Sequence, residues 1–157
     1  FKEGGMVTAG NASQLSDGAA AVLVASREAA EDNGWPILAT VIDYCTSGVE
    51  PARVMAAPIP AIETLLERNQ LSVGDLAYVE HNEAFAAASC AVAKACHIPN
   101  EKFNPHGGAV AIGHPLGATG ARCLMTLINA LRRTGGGKGI VTLCLGGGNA
   151  VAMLVEA

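Results

Sequence analysis

Residues 140–155 have the sequence IVTLCLGGGNAVAMLV: two apolar runs of strand length, Ile140 to Leu145 and Val151 to Val155, separated by a short glycine-rich join, GGGN. A join this short connects neighbouring antiparallel strands, because a parallel crossover needs about a dozen residues or more. The pattern therefore predicts a β-hairpin. Cys144 lies near the end of the first strand, where only Leu145 separates it from the glycines, either as a thiol presented next to oxyanion-binding amides or as a buried core cysteine.

Upstream of the hairpin, apolar runs alternate with helical patterns. We predict strands over 19–26, 37–44 and 75–80, with the second buried on both faces, and helices over 27–33, from Pro58 onward, over 83–97 and over 121–134. Unbroken apolar strands that alternate with helices are typical of an α/β fold with a mostly parallel sheet and helices on both faces.

Composition limits the partners. The 157 residues are 50% hydrophobic and 15% charged, with a formal charge of −4. So small a charged fraction leaves little polar surface for a monomer, and we expect other protein to cover part of it. The longest basic run is the pair Arg132-Arg133, so neither nucleic acid nor a membrane is an expected partner. Five cysteines without a CxxC pair, and no signal-like stretch, predict a reducing, cytoplasmic location.

A glycine-rich turn surrounds His114. Residues 104–120 have the sequence NPHGGAVAIGHPLGATG, in which Pro115 disfavours the helical conformation for His114. Gly117 and Gly120 allow a backbone or ligand to approach the start of the next helix. The glycine spacing is not that of a phosphate-binding loop. A tight turn with a structural histidine and a functional imidazole both remain open.

Polar residues also follow the third predicted strand. His81, Asn82 and Glu83 stand where that strand meets an Ala-rich helix, and α/β proteins place ligands at the carboxyl ends of strands. Asn82 is equally suited to cap the helix. The remaining histidines, His97 and His106, have no second feature beside them, and we expect both at the surface.

Taken together, these motifs resemble the thiolase family. The segments VTAGNASQLSDGAAA, HNEAFA, GGAVAIGHPLGATGAR and TLCLGGGNAVAM are similar, in order and spacing, to blocks of the C-terminal half of a thiolase. The resemblance implies a five-stranded mixed, mostly parallel sheet with helices on both faces, paired with a similar N-terminal domain. We expect residues 1–17 to continue from that upstream domain and residues 18–157 to form the C-terminal domain.

The resemblance also implies a function. Thiolases are acetyl-CoA C-acyltransferases of fatty acid metabolism that cleave a 3-ketoacyl-CoA with CoA or run the Claisen condensation in reverse. The expected subfamily is the short-chain type, with acetyl-CoA or acetoacetyl-CoA as substrates, no separate cofactor and no metal site. A homo-oligomer, either a dimer or a tetramer, is expected for the whole protein.

Individual residues acquire roles by the same similarity. His114 resembles the histidine that activates a nucleophilic cysteine and helps to bind the thioester oxyanion, and Cys144 resembles the acid/base that moves a proton at the α-carbon of acetyl-CoA. Asn82 would hold a water in the oxyanion site, and the Gly146 amide would supply a second oxyanion site. Phe85 is expected to contact substrate. Carbanion formation beside a thioester needs an acid/base and fixed donors, which these residue types provide.

The family's acylated cysteine belongs to its N-terminal half. Cys45, Cys90, Cys96 and Cys123 are not in a comparable setting, so we expect this chain to lack the nucleophile and most of the CoA contacts. Two alternatives therefore stay open: an inactive fragment, or one chain of a split thiolase that acts as a structural module. A ketoacyl synthase relative is disfavoured, because a second histidine would be expected where Cys144 stands.

Overall fold

A computed structural model of the chain describes residues 3–157. Its helices are α1 (Arg27–Asp32), α2 (Pro58–Arg68), α3 (Ala86–Ala95), α4 (Ala109–Ile112) and α5 (Thr119–Arg133), and its strands are β1 (Thr40–Gly48), β2 (Leu76–His81), β3 (Lys138–Leu145) and β4 (Asn149–Glu156). Short 3₁₀ turns lie at Pro51–Ala56, Val73–Asp75, Asn100–Lys102 and Leu116–Ala118.

The four strands form one mixed sheet in the order β1-β4-β3-β2. β3 and β4 pair antiparallel, so the predicted hairpin is confirmed. β1 also pairs antiparallel with β4, whereas β2 runs parallel to β3. The α/β class with a mixed sheet is therefore confirmed, but the described residues give four strands rather than five, and only the β2 and β3 pair is parallel.

Helices cover both faces of the sheet, as predicted. On one face, α2 and α3 pack against the strands through a buried cluster that includes Ile62, Leu65, Val79, Val92, Ile140 and Leu154. On the other face, α5 packs through a second cluster made of Cys123, Leu127, Leu131, Val141, Leu143 and Val155. Burying each large aliphatic side chain stabilises the fold by about 1.5–3 kcal/mol.

The last helix, α5, shows how the sequence directs a helix onto the sheet. Its buried positions, Thr119, Cys123, Leu127, Ala130 and Leu131, recur at three- and four-residue intervals and make one apolar face. Two arginines in the last turn carry positive charge at the negative end of the helix dipole. The helix begins at Thr119, two residues before the predicted start.

The strand predicted over 19–26 is wrong. Residues 19–25 have no regular secondary structure, and Val22, Leu23 and Val24 are 38%, 76% and 78% exposed. A strand is stable only when its backbone N–H and C=O groups have a neighbouring strand to bond. Within residues 3–157 no strand pairs with this segment.

The second predicted strand exists but is shifted and is not buried on both faces. β1 spans Thr40–Gly48, and Val41, Ile42 and Tyr44 are 45%, 41% and 69% exposed. β1 is an edge strand, and α2 covers the face on which Cys45 is buried. An apolar run therefore indicated a strand correctly, but it did not indicate which faces the described residues cover.

Candidate active site

The carboxyl ends of the parallel strands β2 and β3 meet at one edge of the sheet. Asn82 directly follows β2, is 1% exposed, and donates its backbone N–H to the carbonyl of Thr142 at 3.1 Å. Thr142 lies on β3 two residues before Cys144. This edge therefore places Asn82 and the end of β3 side by side, as the strand pattern predicts.

Asn82 and His114 are in direct contact. The amide Nδ2 of Asn82 lies 3.3 Å from Nε2 of His114, and the other ring nitrogen, Nδ1, lies 2.7 Å from the Thr119 hydroxyl. Thr119 is the first residue of α5. His114 is thus held between the end of β2 and the start of α5, and Asn82 contacts it instead of capping α3.

The electrostatic setting keeps His114 neutral. Partial burial lowers its pKa, and the positive charge of Arg122 lowers that pKa further. A neutral imidazole has one nitrogen free to accept a proton. His114 is therefore available as a base at neutral pH.

The leading segment of the chain packs against this site. Ser13 donates its N–H to the Ala84 carbonyl at 2.9 Å, and His114 donates its N–H to the Gln14 carbonyl at 3.2 Å. His114 and Leu15 form an isolated parallel bridge, an extended geometry that agrees with the effect predicted for Pro115. Residues near 11–16 thus help to fix the backbone of His114.

Cys144 has a different environment. It is half-buried, and its Sγ lies 3.9 Å from Sδ of Met55 in the turn that precedes α2. Burial raises the pKa of the Cys144 thiol. Gly146 follows two residues later; it is exposed, and a Cβ placed on it would meet no heavy atom within 4 Å. Cys144 is therefore a protonated thiol at neutral pH, two residues before an uncrowded glycine.

Two shallow cavities flank these residues. One, of about 430 Å³, is lined by Leu15, Ser16, Asp17, His114 and Leu116. The other, of about 390 Å³, is lined mostly by apolar side chains, including Phe85, Met55, Ala88 and Ala91, with Arg53 at its border. Phe85 is half-buried immediately before α3. The predicted contact between Phe85 and a substrate remains a prediction.

Sequence reasoning missed an ion pair behind Asn82. Arg122, on α5, places Nη2 2.9 Å from the Asn82 Oδ1 atom and Nη1 3.4 Å from a Glu80 carboxylate oxygen. The Glu80 side chain is 1% exposed, and burial raises its pKa to about 7, although the Arg122 charge opposes that rise. A carboxylate within an apolar strand, next to a candidate asparagine, is the signal that could have identified the pair.

His81 belongs to the core. It is fully buried, stacks on Phe103 with ring centroids 5.8 Å apart, and has Nδ1 2.9 Å from the Ser89 hydroxyl. Burial lowers the pKa of His81 to about 4, so the ring is neutral. The other two histidines, His97 and His106, are exposed, as predicted. Of the four histidines, His114 is the one beside both Asn82 and a cavity.

Two further kinds of site were searched for in residues 3–157. No group of three or more His, Cys, Asp or Glu side chains in this part of the chain is arranged to hold a metal ion. None of its helices is both long enough and apolar enough to cross a membrane.

Comparison with curated proteins gives close relatives. Acetyl-CoA acetyltransferase from Shinella zoogloeoides is 49% identical over 157 residues, and the match covers 100% of this chain and 40% of the relative. The enzyme of the same name from Syntrophomonas wolfei is 48% identical with the same coverage. Peroxisomal 3-ketoacyl-CoA thiolase B from Rattus norvegicus is 48% identical, and 37% of it is covered. The chain spans about two fifths of the length of the curated relatives that it matches.

Solved structures agree with these relatives. The acetyl-CoA acetyltransferase of Bacillus anthracis superposes with a TM-score of 0.96 at 45% identity, over 100% of this chain and 40% of that one. Human mitochondrial 3-ketoacyl-CoA thiolase superposes with a TM-score of 0.92 at 37% identity, again over 100% and 40%.

Family models match nearly the whole sequence. The thiolase N-terminal domain model matches residues 1–28, and the thiolase C-terminal domain model matches residues 35–157. The division into residues 1–17 and 18–157 remains a prediction. The C-terminal match covers more than half of the sequence and includes Asn82, His114 and Cys144. The chain therefore belongs to the thiolase family.

Proposed function

We propose that this chain supplies one half of an acetyl-CoA C-acyltransferase active site that acts on short-chain 3-ketoacyl-CoA. The observation that carries the proposal is the contact between Asn82 Nδ2 and His114 Nε2 at the sheet edge where β3 ends, one residue after Cys144. A donor amide beside a neutral imidazole suits the polarisation of a thioester oxygen, and a thiol suits proton transfer at the carbon next to it.

His114 would act first, on a cysteine supplied by an N-terminal thiolase domain. Because its lowered pKa keeps His114 neutral, Nε2 can exchange the hydrogen bond from Asn82 for the proton of that thiol, and the thiolate attacks the keto carbonyl. The protonated ring then donates to the oxygen that becomes negative, next to Asn82. Polar donors fixed in advance at such an oxygen typically contribute a factor of about 10² to 10³ in rate.

Cys144 would complete the reaction. Cleavage of the bond between the α- and β-carbons leaves a carbanion at the α-carbon of acetyl-CoA, and the Cys144 thiol gives its proton to that carbon. The CoA sulfur then takes the acyl group from the upstream cysteine, which leaves as a thiolate and regains its proton from His114, and the proton released by the CoA thiol restores the Cys144 thiol. In condensation these steps run in reverse, and the Cys144 thiolate removes the α-proton of acetyl-CoA. The raised pKa of Cys144 keeps it in the thiol form before it donates, and the space around the Gly146 Cα leaves room for a second oxyanion beside that residue.

The cavities suggest where the two parts of the substrate lie. The largely apolar cavity beside Phe85 and Met55 suits a short acyl chain, and the cavity between Leu15 and His114 suits the thioester arm. The name acetyl-CoA acetyltransferase, carried by several relatives, supports CoA thioesters as substrates. As the resemblance implies, we propose that no separate cofactor takes part. No metal is needed for this chemistry.

The assembly and location follow the same proposal. The N-terminal domain of a thiolase would contribute the nucleophile and most of the CoA contacts, and the whole protein would form a homo-oligomer, either a dimer or a tetramer. We propose a cytoplasmic location, as expected from the cysteine content, although some relatives are named peroxisomal.

A comparison of two proteins tests the proposal. The first is the 157-residue chain; the second, called the two-domain form, joins this chain to the N-terminal domain of the Shinella zoogloeoides relative. Only the two-domain form is expected to cleave acetoacetyl-CoA with CoA, and its His114→Ala variant provides the background. Turnover by the purified chain alone, or an inactive two-domain form, would contradict the proposal. Activity restored by mixing the chain with a separate N-terminal domain would favour a split enzyme.

A further inference from the structure

Arg122 contacts the oxygen of the Asn82 side chain, whereas the nitrogen of that side chain faces His114. The Arg122 side chain is 16% exposed and lies between two buried groups, the Glu80 carboxylate and the Asn82 side chain. A partly desolvated guanidinium is costly to keep unless its contacts compensate. Its Nε atom has no hydrogen-bond partner among residues 3–157, so the Nη contacts to Glu80 and Asn82 are the ones that hold the group.

The contact with Arg122 fixes which way the Asn82 amide points. An arginine has only N–H donors, so the Asn82 atom 2.9 Å from Nη2 must be the oxygen, which accepts. The amide nitrogen then faces His114 and donates to Nε2. Without the arginine, the oxygen would keep only the weak donor of the Cys123 thiol, whose Sγ lies 3.9 Å away, and the amide oxygen and nitrogen, which are nearly the same size, could exchange places.

Thr119 settles the other side of the imidazole. Its hydroxyl donates to the Pro115 carbonyl at 2.8 Å, so the same oxygen accepts from Nδ1–H of His114 at 2.7 Å. His114 therefore carries its proton on Nδ1, and Nε2 keeps a lone pair. The contact with Asn82 at Nε2 and the contact with Thr119 at Nδ1 both favour the Nδ1-protonated tautomer.

From this geometry we propose that Arg122, backed by Glu80, is a positioning residue that orients Asn82 and thereby keeps His114 in its Nδ1-protonated tautomer. The inference deepens the proposed function, since Nε2 is the nitrogen that would accept the thiol proton. Arg122 touches no reacting atom; it acts through Asn82. Several charged or titratable groups surround the chain of contacts: Glu80 on β2, Glu83 after β2, Arg122 and the Cys123 thiol on α5.

The first test measures the tautomer directly and needs no turnover. Histidine labelled with ¹⁵N in the 157-residue chain should give His114 a pyridine-type Nε2 signal and a pyrrole-type Nδ1 signal, assigned by their loss in His114→Asn. In Arg122→Met the Asn82 oxygen can face Nε2, and the Thr119 hydroxyl can turn from the Pro115 carbonyl to donate to Nδ1, so we expect signals averaged between the two tautomers. Arg132→Met, which changes an exposed arginine of the same helix, should leave the signals unchanged.

The second test measures catalysis in the two-domain form. Arg122→Met should lower kcat for thiolysis on the order of 10-fold to 100-fold, with KM changed less, because a misplaced donor affects the transition state more than ground-state binding. Arg122→Lys keeps the charge and one donor, so it should recover part of both kcat and the tautomer signal. If Arg122→Met does not fold, Arg122→Lys is compared with Arg132→Lys in the same two measurements.

The outcomes separate the two proposals. Unchanged tautomer signals in the Arg122 variants overturn the inference, whatever happens to kcat, because a merely structural arginine would lower activity without changing the ring. Altered tautomer signals support the inference even if the two-domain form never cleaves acetoacetyl-CoA. In that case the proposed function is contradicted, whereas the role of Arg122 is not.

Discussion

The amide nitrogen of Asn82 lies 3.3 Å from Nε2 of His114, although 32 positions separate the two residues. The contact depends on the turn before His114. Gly113 has a φ of +91°, which favours glycine, and a Cβ on it would also lie 2.3 Å from the Ser16 hydroxyl oxygen, which would have to move. The backbone of this turn and the docked segment near Ser16 thus aim the imidazole at the end of β2.

We predict that His114→Ala in the two-domain form lowers kcat for acetoacetyl-CoA thiolysis on the order of 10² to 10⁴-fold. The imidazole both removes the thiol proton and donates to the oxyanion, and neither task is part of substrate binding. Steady-state kinetics should therefore show a smaller change in KM than in kcat.

A matched control for this variant is His97→Ala. His97 is exposed after α3, and its substitution should leave kcat unchanged. If His114→Ala turns over nearly as fast as His97→Ala, His114 is a structural residue of a tight turn.

Two buried groups should make the stability of the chain depend on pH in opposite directions. Glu80 has a folded pKa of about 7 against 4.5, so the folded state keeps a proton that the unfolded state loses, and stability falls as pH rises through that window. His81 has a folded pKa of about 4 against 6.5, so stability rises with pH between those values. In the native chain the two effects oppose each other.

We therefore predict that Glu80→Gln gains stability relative to the native chain as pH rises from 4.5 to 7, by up to about 1.4 kcal/mol per pH unit. Urea unfolding at a series of pH values measures the difference between the two curves. Curves that stay parallel across the window would show that Glu80 titrates normally. A control, Glu101→Gln, changes an exposed carboxylate and should leave the curve parallel to that of the native chain.

Much of this architecture is predictable because local pattern and packing agree. The buried stripe of α5 and the glycine-rich join between β3 and β4 both specify their own structure. The segment around Val22 has the same apolar character but needs a neighbouring strand, which residues 3–157 do not provide. Whether such a segment forms a strand depends on a neighbouring strand to pair with, and the apolar character of the segment alone does not contain that information.

The residues of the candidate site also fall into two groups, those that the sequence identifies and those that only the fold brings together. Asn82, His114 and Cys144 stand in short motifs that can be recognised one at a time. Arg122 and Glu80 lie in a helix and a strand, 42 positions apart, and become a pair only when α5 packs on β2. A single sequence shows each as an isolated charge, and only the fold shows that both stand behind Asn82.

The glycine run after β3 should tolerate substitution unequally. Gly148 has a φ of +92°, and a Cβ on it would lie 2.3 Å from the Val49 carbonyl oxygen, whereas a Cβ on Gly146 meets nothing within 4 Å. We predict that Gly148→Ala destabilises the chain by about 1–3 kcal/mol from backbone strain alone, with the clash added. Gly146→Ala is the matched control and should cost less than about 1 kcal/mol. Equal losses measured by urea unfolding would contradict this reading of the turn.

Cys144→Ser gives the sharpest test of the acid/base assignment. In the two-domain form, we predict that this variant still becomes acylated on the cysteine of the N-terminal domain, because that step requires only His114 and the oxyanion donors. The later proton transfer should stall, since a serine hydroxyl is far too weak an acid at neutral pH to exchange the α-proton of acetyl-CoA. Intact mass after exposure to acetyl-CoA should therefore show accumulated acyl-enzyme.

Exchange of the acetyl-CoA α-protons into deuterated water isolates the step that Cys144 would perform. The native two-domain form should exchange them, Cys144→Ser should not, and Cys90→Ser, which changes an exposed cysteine on α3, should exchange them normally. Exchange at the native rate in Cys144→Ser would return Cys144 to the role of a core thiol against Met55. In the proposed mechanism acylation does not use the acid/base, so replacing Cys144 should not prevent it. Loss of both acylation and exchange would therefore show that the serine disturbs the oxyanion donors at Gly146.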